Sequence, residues 1–483
     1  MSKKSIKINY IYNVCYQMLL VLTPLLTSPY LARVLGADGV GTSSYIESIS
    51  SYFVLFATMG ITTFGQREIS YVQEDYDKRT LIFWETKLLN VFTSLIAVLA
   101  YLFFARYRQN WKLYLVIVFN ILAVLADISW FFQGIEEFKK IVGRNILFKI
   151  LNITYIFVFI KNREDLIWYM LGHSLNLFLC NVSFWTCLYK YVGKPKWTEL
   201  KPLRHLKVVI SLFIPTVAIQ IYTVFDKTMI GIITKNAYEN GYYEQAMRII
   251  RIILMVVTSL GTVVIPRIGY HFQKKEIEQV QDLLYKSYRF VWFIGVPLCL
   301  GLVGVASNFI PWFLGDGYNE VILLLCVLSF TILAIGISNV TGIQYLVPTN
   351  RQNILTKTVL IGAGINFTLN LLLIPDLKSI GAAIASLIAE IVITSVQLFY
   401  VRKELSIRKI VVSAFNYVIS GSIMLLTISV IGNGFMSTIL NTVILVICGG
   451  IVYFFVLLIL RDAFLIGNIQ KILQKIVQHV KEV

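Results

Sequence analysis

The chain has 483 residues, of which 57% are hydrophobic and only 14% are charged, and its formal net charge is +17. A soluble domain carries roughly 25% charged residues, and apolar runs of about 20 residues, long enough to cross hydrocarbon, recur here from end to end. This composition excludes a soluble enzyme, an extracellular disulfide scaffold and a nucleic-acid-binding domain. The basic residues lie singly or in small groups between apolar runs, as they do in the loops of membrane proteins.

Fourteen apolar segments in succession predict an all-α polytopic membrane protein. Each is long enough for a membrane helix, and none shows the strict alternation of a membrane barrel strand. The predicted spans are 9–32, 41–65, 81–105, 111–132, 145–161, 165–189, 207–233, 242–265, 287–312, 319–345, 353–374, 379–401, 410–431 and 436–460.

Lysine and arginine are distributed unevenly between the two sides of these spans. With a cytoplasmic amino terminus, the inner segments hold 30 of the 43 and the outer loops hold 8, when residues at span ends are counted with the adjoining loops. Cytoplasmic loops carry such an excess in membrane proteins. We therefore expect both termini to be cytoplasmic, which requires an even number of spans.

Two further segments are amphipathic. Residues 271–290, HFQKKEIEQVQDLLYKSYRF, mix basic and apolar side chains, and residues 469–480 place apolar side chains on one helical stripe opposite lysines. Helices of this kind lie in the interface plane of a bilayer. We also expect Glu85 and Lys87, near the start of the third span, to be interfacial.

An internal repeat is indicated by two similar stretches. The second span ends FVLFATMGITTFGQREI and the eighth ends LMVVTSLGTVVIPRI, which aligns Gly60 with Gly261. Transporters often retain weak symmetry of this kind between two halves. The first and seventh spans would then begin corresponding bundles.

Several motifs resemble those of one membrane protein family. They are PLLTSPYLARVLGADGVG from Pro24, DKTMIG from Asp226, GYYEQAMRI from Gly241, TSLGTVVIPRI from Thr258 and IGAAIASLIAE from Ile380. Together they resemble polysaccharide repeat-unit flippases of the Wzx type, in the multidrug/oligosaccharidyl-lipid/polysaccharide exporter superfamily. The resemblance implies two six-helix bundles around a central cavity, at 1–206 and 207–405, and two additional helices with an amphipathic tail at 406–483.

The resemblance also implies export of undecaprenyl-diphosphate-linked oligosaccharide from the inner to the outer leaflet of the bacterial cell membrane by alternating access. The expected partners are that substrate and membrane lipids, with polysaccharide polymerase machinery as a further candidate, and nucleic acid is not among them. No cofactor and no metal are expected. The alternative within the superfamily is a multidrug or organic-cation antiporter, and a membrane enzyme is disfavoured by the short outer loops.

Charged residues at membrane depth are the candidates for function, because burying a charge in hydrocarbon is costly. Arginine presents a fixed fork of donors that suits phosphate oxygens, and carboxylates could neutralise the arginines when no lipid is bound. The candidate substrate-binding residues, which share a layer in the outer half of the predicted membrane, are Arg248, Arg251, Arg33, Asp226, Glu47 and Lys227. Glu390 and Asp127 are candidate coupling sites, because apolar surroundings raise carboxyl pKa values.

Overall fold

A computed structural model describes residues 6–467 together with 470 and 474. All regular structure in this part of the chain is helical, which confirms the predicted all-α class. The chain divides into two compact units, 1–241 and 242–483. The predicted domain boundaries at 206 and 405 stay predictions. The predicted amphipathic tail, 469–480, lies outside the described residues except for two isolated positions.

The described residues of the first unit contain nine α-helices. They are α1 Ile6–Thr58, α2 Ile61–Tyr71, α3 Tyr76–Arg106, α4 Trp111–Ala126, α5 Ser129–Gly134, α6 Phe138–Phe159, α7 Leu166–Val182, α8 Trp185–Leu188 and α9 Leu206–Thr234. Within α1 the backbone leaves helical geometry at Gly36, where φ is 71°. A side chain is disfavoured in this left-handed region, so the glycine separates two predicted spans.

The following helices continue through the second unit. They are α10 Ala237–Thr258, which begins at the end of the first unit, α11 Gly261–Gln273, α12 Ile277–Leu314, α13 Glu320–Asn339, a π-helical turn Val340–Leu346, α14 Gln352–Val401, α15 Ile407–Val412, α16 Phe415–Gly432 and α17 Ile439–Ile459. A second break lies inside α14 at Lys378, where φ is 53°. It again separates two predicted spans.

All fourteen predicted spans fall on helices. By length and composition, nine helices among the described residues are able to cross a membrane, or ten if the bent pair 237–258 and 263–273 forms one span. Two of the nine, 54 and 50 residues long, each carry two predicted spans across a break. The count of spanning helices is lower than the fourteen predicted spans mainly because some helices carry two spans and others are too short or are bent.

The internal repeat has a structural counterpart. Short helices α2 and α11 follow α1 and α10 after breaks at residues 59–60 and 259–260. Gly60 caps the amino terminus of α2, and Gly261 is the first residue of α11. The aligned glycines therefore occupy equivalent positions in two similar helix–break–helix elements.

A buried carboxylate on α3 binds the segment that leads into α9. Glu85 on α3 has no exposed surface. It accepts hydrogen bonds from the Lys201 backbone N–H at 2.7 Å and from Arg204 Nε at 3.1 Å, and it lies 2.8 Å from His205 Nε2. Its charge is therefore satisfied inside the protein, and its position at the membrane interface stays a prediction.

Two glycines allow a close helix contact within the first unit. A Cβ atom at Gly41 would lie 1.7 Å from the Ala237 carbonyl oxygen, and one at Gly241 would lie 2.0 Å from the Ala37 carbonyl oxygen. Both distances are far below van der Waals contact. The backbones of α1 and α10 can meet here only because both positions lack a side chain.

Candidate functional site

A cavity of about 240 Å³ lies inside the first unit. Its wall is formed by one face each of α1, α4 and α7, with further residues from α2, α3 and α5. Polar side chains make up much of the wall, and they are Glu47, Ser50, Ser51, Thr58, Thr62, Asn90, Asn120, Asp127 and Asn181. Polar groups at membrane depth are costly, so this concentration marks the cavity as a candidate functional site.

The spacing of the wall residues follows from helix geometry. Residues 47, 50, 51, 54 and 58 recur at intervals of three and four along α1, and residues 120, 123, 124 and 127 do the same at α4. Such intervals place side chains on one helix face. Each helix therefore presents one continuous, partly polar stripe to the same cavity.

Asp127 lies where α4 ends and before α5 begins. Its backbone is extended, and its Oδ1 accepts a hydrogen bond from the Ser129 N–H at 2.8 Å. This bond holds the carboxylate at the helix break, where it lines the cavity together with Glu47. The structure thus brings together a candidate coupling residue and a candidate substrate-binding residue.

Lys87 on α3 supports the break between α4 and α5. Its side chain is buried, and its Nζ donates to the Leu125 carbonyl, to Asn90 Oδ1 at 2.8 Å and to the Asp127 carbonyl at 3.4 Å. Carbonyls at the end of a helix have no partner within that helix. Lys87 satisfies them from inside the protein, and its interfacial depth in the membrane stays a prediction.

The same lysine lies beside Asp127 and Trp185. Its Nζ donates to the Asp127 backbone carbonyl at 3.4 Å and lies 5.3 Å from the centre of the Trp185 ring. Sequence reasoning missed this role. The signal that was available is the presence of a lysine inside an apolar span, which requires a local partner.

Two polar atoms of the cavity wall have no hydrogen-bond partner among the described residues. They are Ser50 Oγ and Asn120 Oδ1, and both are buried. Buried polar atoms are nearly always satisfied by protein or water. The cavity wall therefore provides hydrogen-bonding sites for a small polar guest.

Asp226 lies at the level of Glu47 in the first unit. Asp226 is 8% exposed, and Thr228, two residues on, hydrogen-bonds to Ser48 at 3.0 Å and to Tyr52 at 2.9 Å. Because Ser48 follows Glu47 directly, α1 and α9 hold the two carboxylate positions at similar depth. Lys227 is half-buried beside them.

The three candidate arginines have different surroundings. Arg33 lies just before the break in α1 and is exposed, and Arg251 on α10 is also exposed. Arg248 is 19% exposed, and its Nε donates to Glu244 Oε1 at 2.8 Å on the same helix. Glu244 was missed in the sequence, although its i, i+4 spacing from Arg248 is a recognisable signal.

Glu390 is half-buried in α14 of the second unit. One turn earlier, Ser386 lies 3.2 Å from the Tyr243 hydroxyl and accepts from Asn366 Nδ2 at 3.4 Å. Glu390 thus lies beside a buried polar cluster. No group of three or more His, Cys, Asp or Glu side chains able to hold a metal ion is found in the described part of the chain.

Comparisons with known proteins extend over both units. The profile of a family described as polysaccharide biosynthesis protein matches residues 6–272, and the lipid II flippase MurJ profile matches residues 146–454. A candidate O-antigen transporter of Escherichia coli K12 is 28% identical over 417 residues, which cover 83% of this chain and 98% of that protein.

Two solved structures share the fold. Lipid II flippase MurJ in an inward closed conformation gives a TM-score of 0.71 at 17% identity, covering 95% of this chain and 99% of that one. An inward-facing multidrug resistance transporter of the MATE family gives 0.58 at 12% identity, covering 80% and 98% respectively. At these identities the likeness establishes the fold alone.

Proposed function

Because this chain belongs to the polysaccharide biosynthesis protein family, and within it to the Wzx-type flippases, we propose that it moves undecaprenyl-diphosphate-linked oligosaccharide from the inner to the outer leaflet by alternating access. The observation that carries this proposal is the match of residues 146–454 to the lipid II flippase MurJ profile, beside the match of residues 6–272 to the polysaccharide biosynthesis protein profile. The relative from Escherichia coli, named as a candidate O-antigen transporter, is aligned over nearly its whole length. Polysaccharide polymerase machinery is a further partner that this role allows.

The proposed orientation places both termini in the cytoplasm and the protein in the bacterial inner membrane. It is supported by the excess of lysine and arginine in the predicted inner segments. Outer loops would then include the break at Gly36, the turn between α9 and α10 and the break at Lys378.

In the second unit, Arg248 and Arg251 are the proposed contacts for the diphosphate, and in the first unit Arg33 is a further proposed contact. Arginine binds phosphate through paired charge-assisted hydrogen bonds. Arg248 forms a salt bridge with Glu244. We propose that the diphosphate, when it binds, replaces Glu244 as the partner of this arginine. Asp226 and Lys227 complete the proposed layer in the first unit.

Glu47 and Asp127, both in the first unit, are the groups that we propose couple transport to the binding of a proton or small cation. They line one cavity, and the described residues that line it include no Lys, Arg or His. Two carboxylates on the wall of one cavity can bind a cation or exchange a proton. We propose that a proton or small cation binds here and is released during the transport cycle, with Glu390 as the corresponding candidate in the second unit.

The same cavity is the observation that favours the alternative function, a multidrug or organic-cation antiporter. An internal site with two carboxylates suits a cation, and a MATE-family transporter shares the fold. The two functions differ in what Arg248 and Arg251 do. An anionic lipid needs both arginines, whereas export of an organic cation does not.

A complementation experiment separates substrate binding from structural support. Arg248→Ala alone removes the phosphate contact and also leaves the Glu244 carboxylate without its salt bridge. The double variant Arg248→Ala/Glu244→Gln removes that charge as well. We expect both variants to lose polysaccharide export, and Arg248→Lys to retain part of it. Export by the double variant at the wild-type level, with equal protein in the membrane, would contradict the proposed phosphate contact.

Arg251→Gln tests the second proposed contact without disturbing that salt bridge. Its matched control is Arg289→Gln, which removes an arginine from α12 in the same unit. We expect the first to abolish export and the second to leave it unchanged. Equal export by both variants would remove Arg251 from the site.

A further inference from the structure

A second cavity lies on the outside of the first unit, between the start of α6 and the end of α7. It has a volume of about 560 Å³ and is more open than the cavity at Asp127. Its lining includes three basic residues, Lys139, Lys140 and Arg144. It also includes one carboxylate, Glu137, and a position without a side chain, Gly143. Three cations and one carboxylate leave it a net charge of +2. We refer to it as the α6 groove.

Arg144 is fixed in the groove by contacts with its own unit. The guanidinium carbon lies 3.7 Å from the centre of the Phe184 ring, and Nη1 donates to the Cys180 carbonyl at 3.1 Å. Phe184 is buried, so the arginine rests on a rigid apolar floor. Nε and Nη2 also donate to Asn145 Oδ1, at 3.1 and 2.6 Å. An anion would therefore meet the remaining N–H groups of a guanidinium that is already oriented, which reduces the entropy lost on binding.

Lys140 is also held in place. Its Nζ donates to the Tyr191 hydroxyl and lies 4.3 Å from the centre of that ring. Lys139 is exposed beside it. The groove thus has two oriented cations and one exposed cation.

An exposed apolar stripe leads away from the groove along α6. Leu147 is 55% exposed, and Ile150 and Leu151 are each 48% exposed. They follow Gly143 at intervals of three and four residues, so they share its helix face. A ligand with a charged head and an apolar tail would fit both features at once.

We propose that the α6 groove binds the phosphate of an anionic phospholipid, whose acyl chain lies along Leu147, Ile150 and Leu151. Basic pockets between membrane helices on the cytoplasmic side are suited to anionic headgroups. The stripe favours a lipid over free phosphate, because a free ion gains nothing from apolar contact. Assignment to the inner leaflet rests on the proposed orientation, whereas the binding itself does not.

The test uses the full chain in detergent, titrated with phosphatidylglycerol while the thermal midpoint is followed. Phosphatidylcholine is the neutral lipid control, and glycerol 3-phosphate is the soluble phosphate control. We expect a saturable rise in the midpoint with phosphatidylglycerol only. An equal rise with phosphatidylcholine or with glycerol 3-phosphate would overturn the assignment to an anionic lipid.

Gly143→Trp tests the shape of the groove without changing any charge. A Cβ atom added at Gly143 would meet no atom within 4 Å, and the same holds at Gly450 on α17, so Gly450→Trp is the matched control. We expect Gly143→Trp to raise the half-saturating phosphatidylglycerol concentration about tenfold, since a bulky ring would occupy the site of the headgroup. An unchanged concentration, in a protein that melts normally without added lipid, would overturn the proposal.

The charges are tested by Lys139→Gln/Lys140→Gln against Lys190→Gln/Lys194→Gln. Both pairs remove two positive charges, but the second pair lies in the segment after α8, outside the groove. We expect only the first pair to weaken binding by about tenfold or more. Equal weakening by both pairs would show diffuse attraction to the surface and would overturn a defined site.

Discussion

Replacing Lys87 by methionine tests how the break between α4 and α5 is held beside the cavity. Methionine is similar in length but cannot donate to the Leu125 carbonyl or to Asn90 Oδ1, which the ammonium now satisfies. A buried acceptor left without a partner costs about 1–3 kcal/mol. Two such acceptors give an expected loss of about 2–6 kcal/mol.

In a domain of about 240 residues, each kcal/mol lowers the melting temperature by about 2–4 °C. We therefore expect the apparent Tm of Lys87→Met to fall by about 4–24 °C. The assay is thermal unfolding of the purified full chain in detergent, and the matched control is Lys112→Met, which removes an exposed lysine from α4. A Tm equal to that of the control would refute the argument that Lys87 supports the break.

A double-mutant cycle separates the charge interaction from the hydrogen bonds. Asp127→Asn retains an acceptor for the Ser129 N–H but removes the carboxylate charge of the residue whose backbone carbonyl Lys87 binds. We expect the destabilisation in Lys87→Met/Asp127→Asn to be smaller than the sum of the single effects. Additive effects would show that the ammonium and the carboxylate act independently.

The remaining predictions concern three other contacts. Glu85→Gln should lower the apparent Tm by about 2–4 °C or more, because it removes the charge that binds Arg204; an unchanged Tm would contradict this. Gly41→Ala should lower export and stability, because its Cβ would meet a carbonyl at 1.7 Å, whereas Gly364→Ala, with open space, should not; equal effects would refute the close contact. Burial raises the pKa of Glu404, but hydrogen bonds from Arg351 and Tyr345 outweigh it and hold that pKa below its usual value. Its stabilisation should therefore be present at neutral pH and disappear as the pH falls below about 4.5, and Glu404→Gln should remove that acid-linked loss of Tm.

The positions of the membrane helices could be predicted from the sequence because hydropathy records which segments are long and apolar enough to cross the membrane. Breaks such as Gly36 and Lys378 fell between predicted spans for the same reason, since polar and small residues interrupt the apolar runs. The repeat was visible as well, because Gly60 and Gly261 lie at the starts of the two short helices that follow the breaks.

The grouping of the charged residues could not be predicted in the same way. The shared cavity of Glu47 and Asp127 depends on how α1 packs against α4, which no local pattern specifies. Depth along a span placed Glu47 in the arginine layer, but depth does not determine which face of a helix points into which cavity. The pairing of Arg248 with Glu244 was accessible from its helical spacing.

The roles of Glu85 and Lys87 were hidden because both bind segments distant in sequence. Glu85 binds residues more than 110 positions later, and Lys87 binds the end of α4, 38 residues away. A hydropathy profile near the end of a span cannot distinguish an interfacial charge from a buried one with partners. The distinction required the tertiary structure.

The most direct test of the proposed function is the leaflet accessibility of undecaprenyl-diphosphate-linked oligosaccharide in cells with and without this protein. We expect the lipid to accumulate on the cytoplasmic side when the protein is depleted, and to reach the outer leaflet again when it is re-expressed. An unchanged distribution between the leaflets upon depletion would contradict the flippase proposal and favour the antiporter.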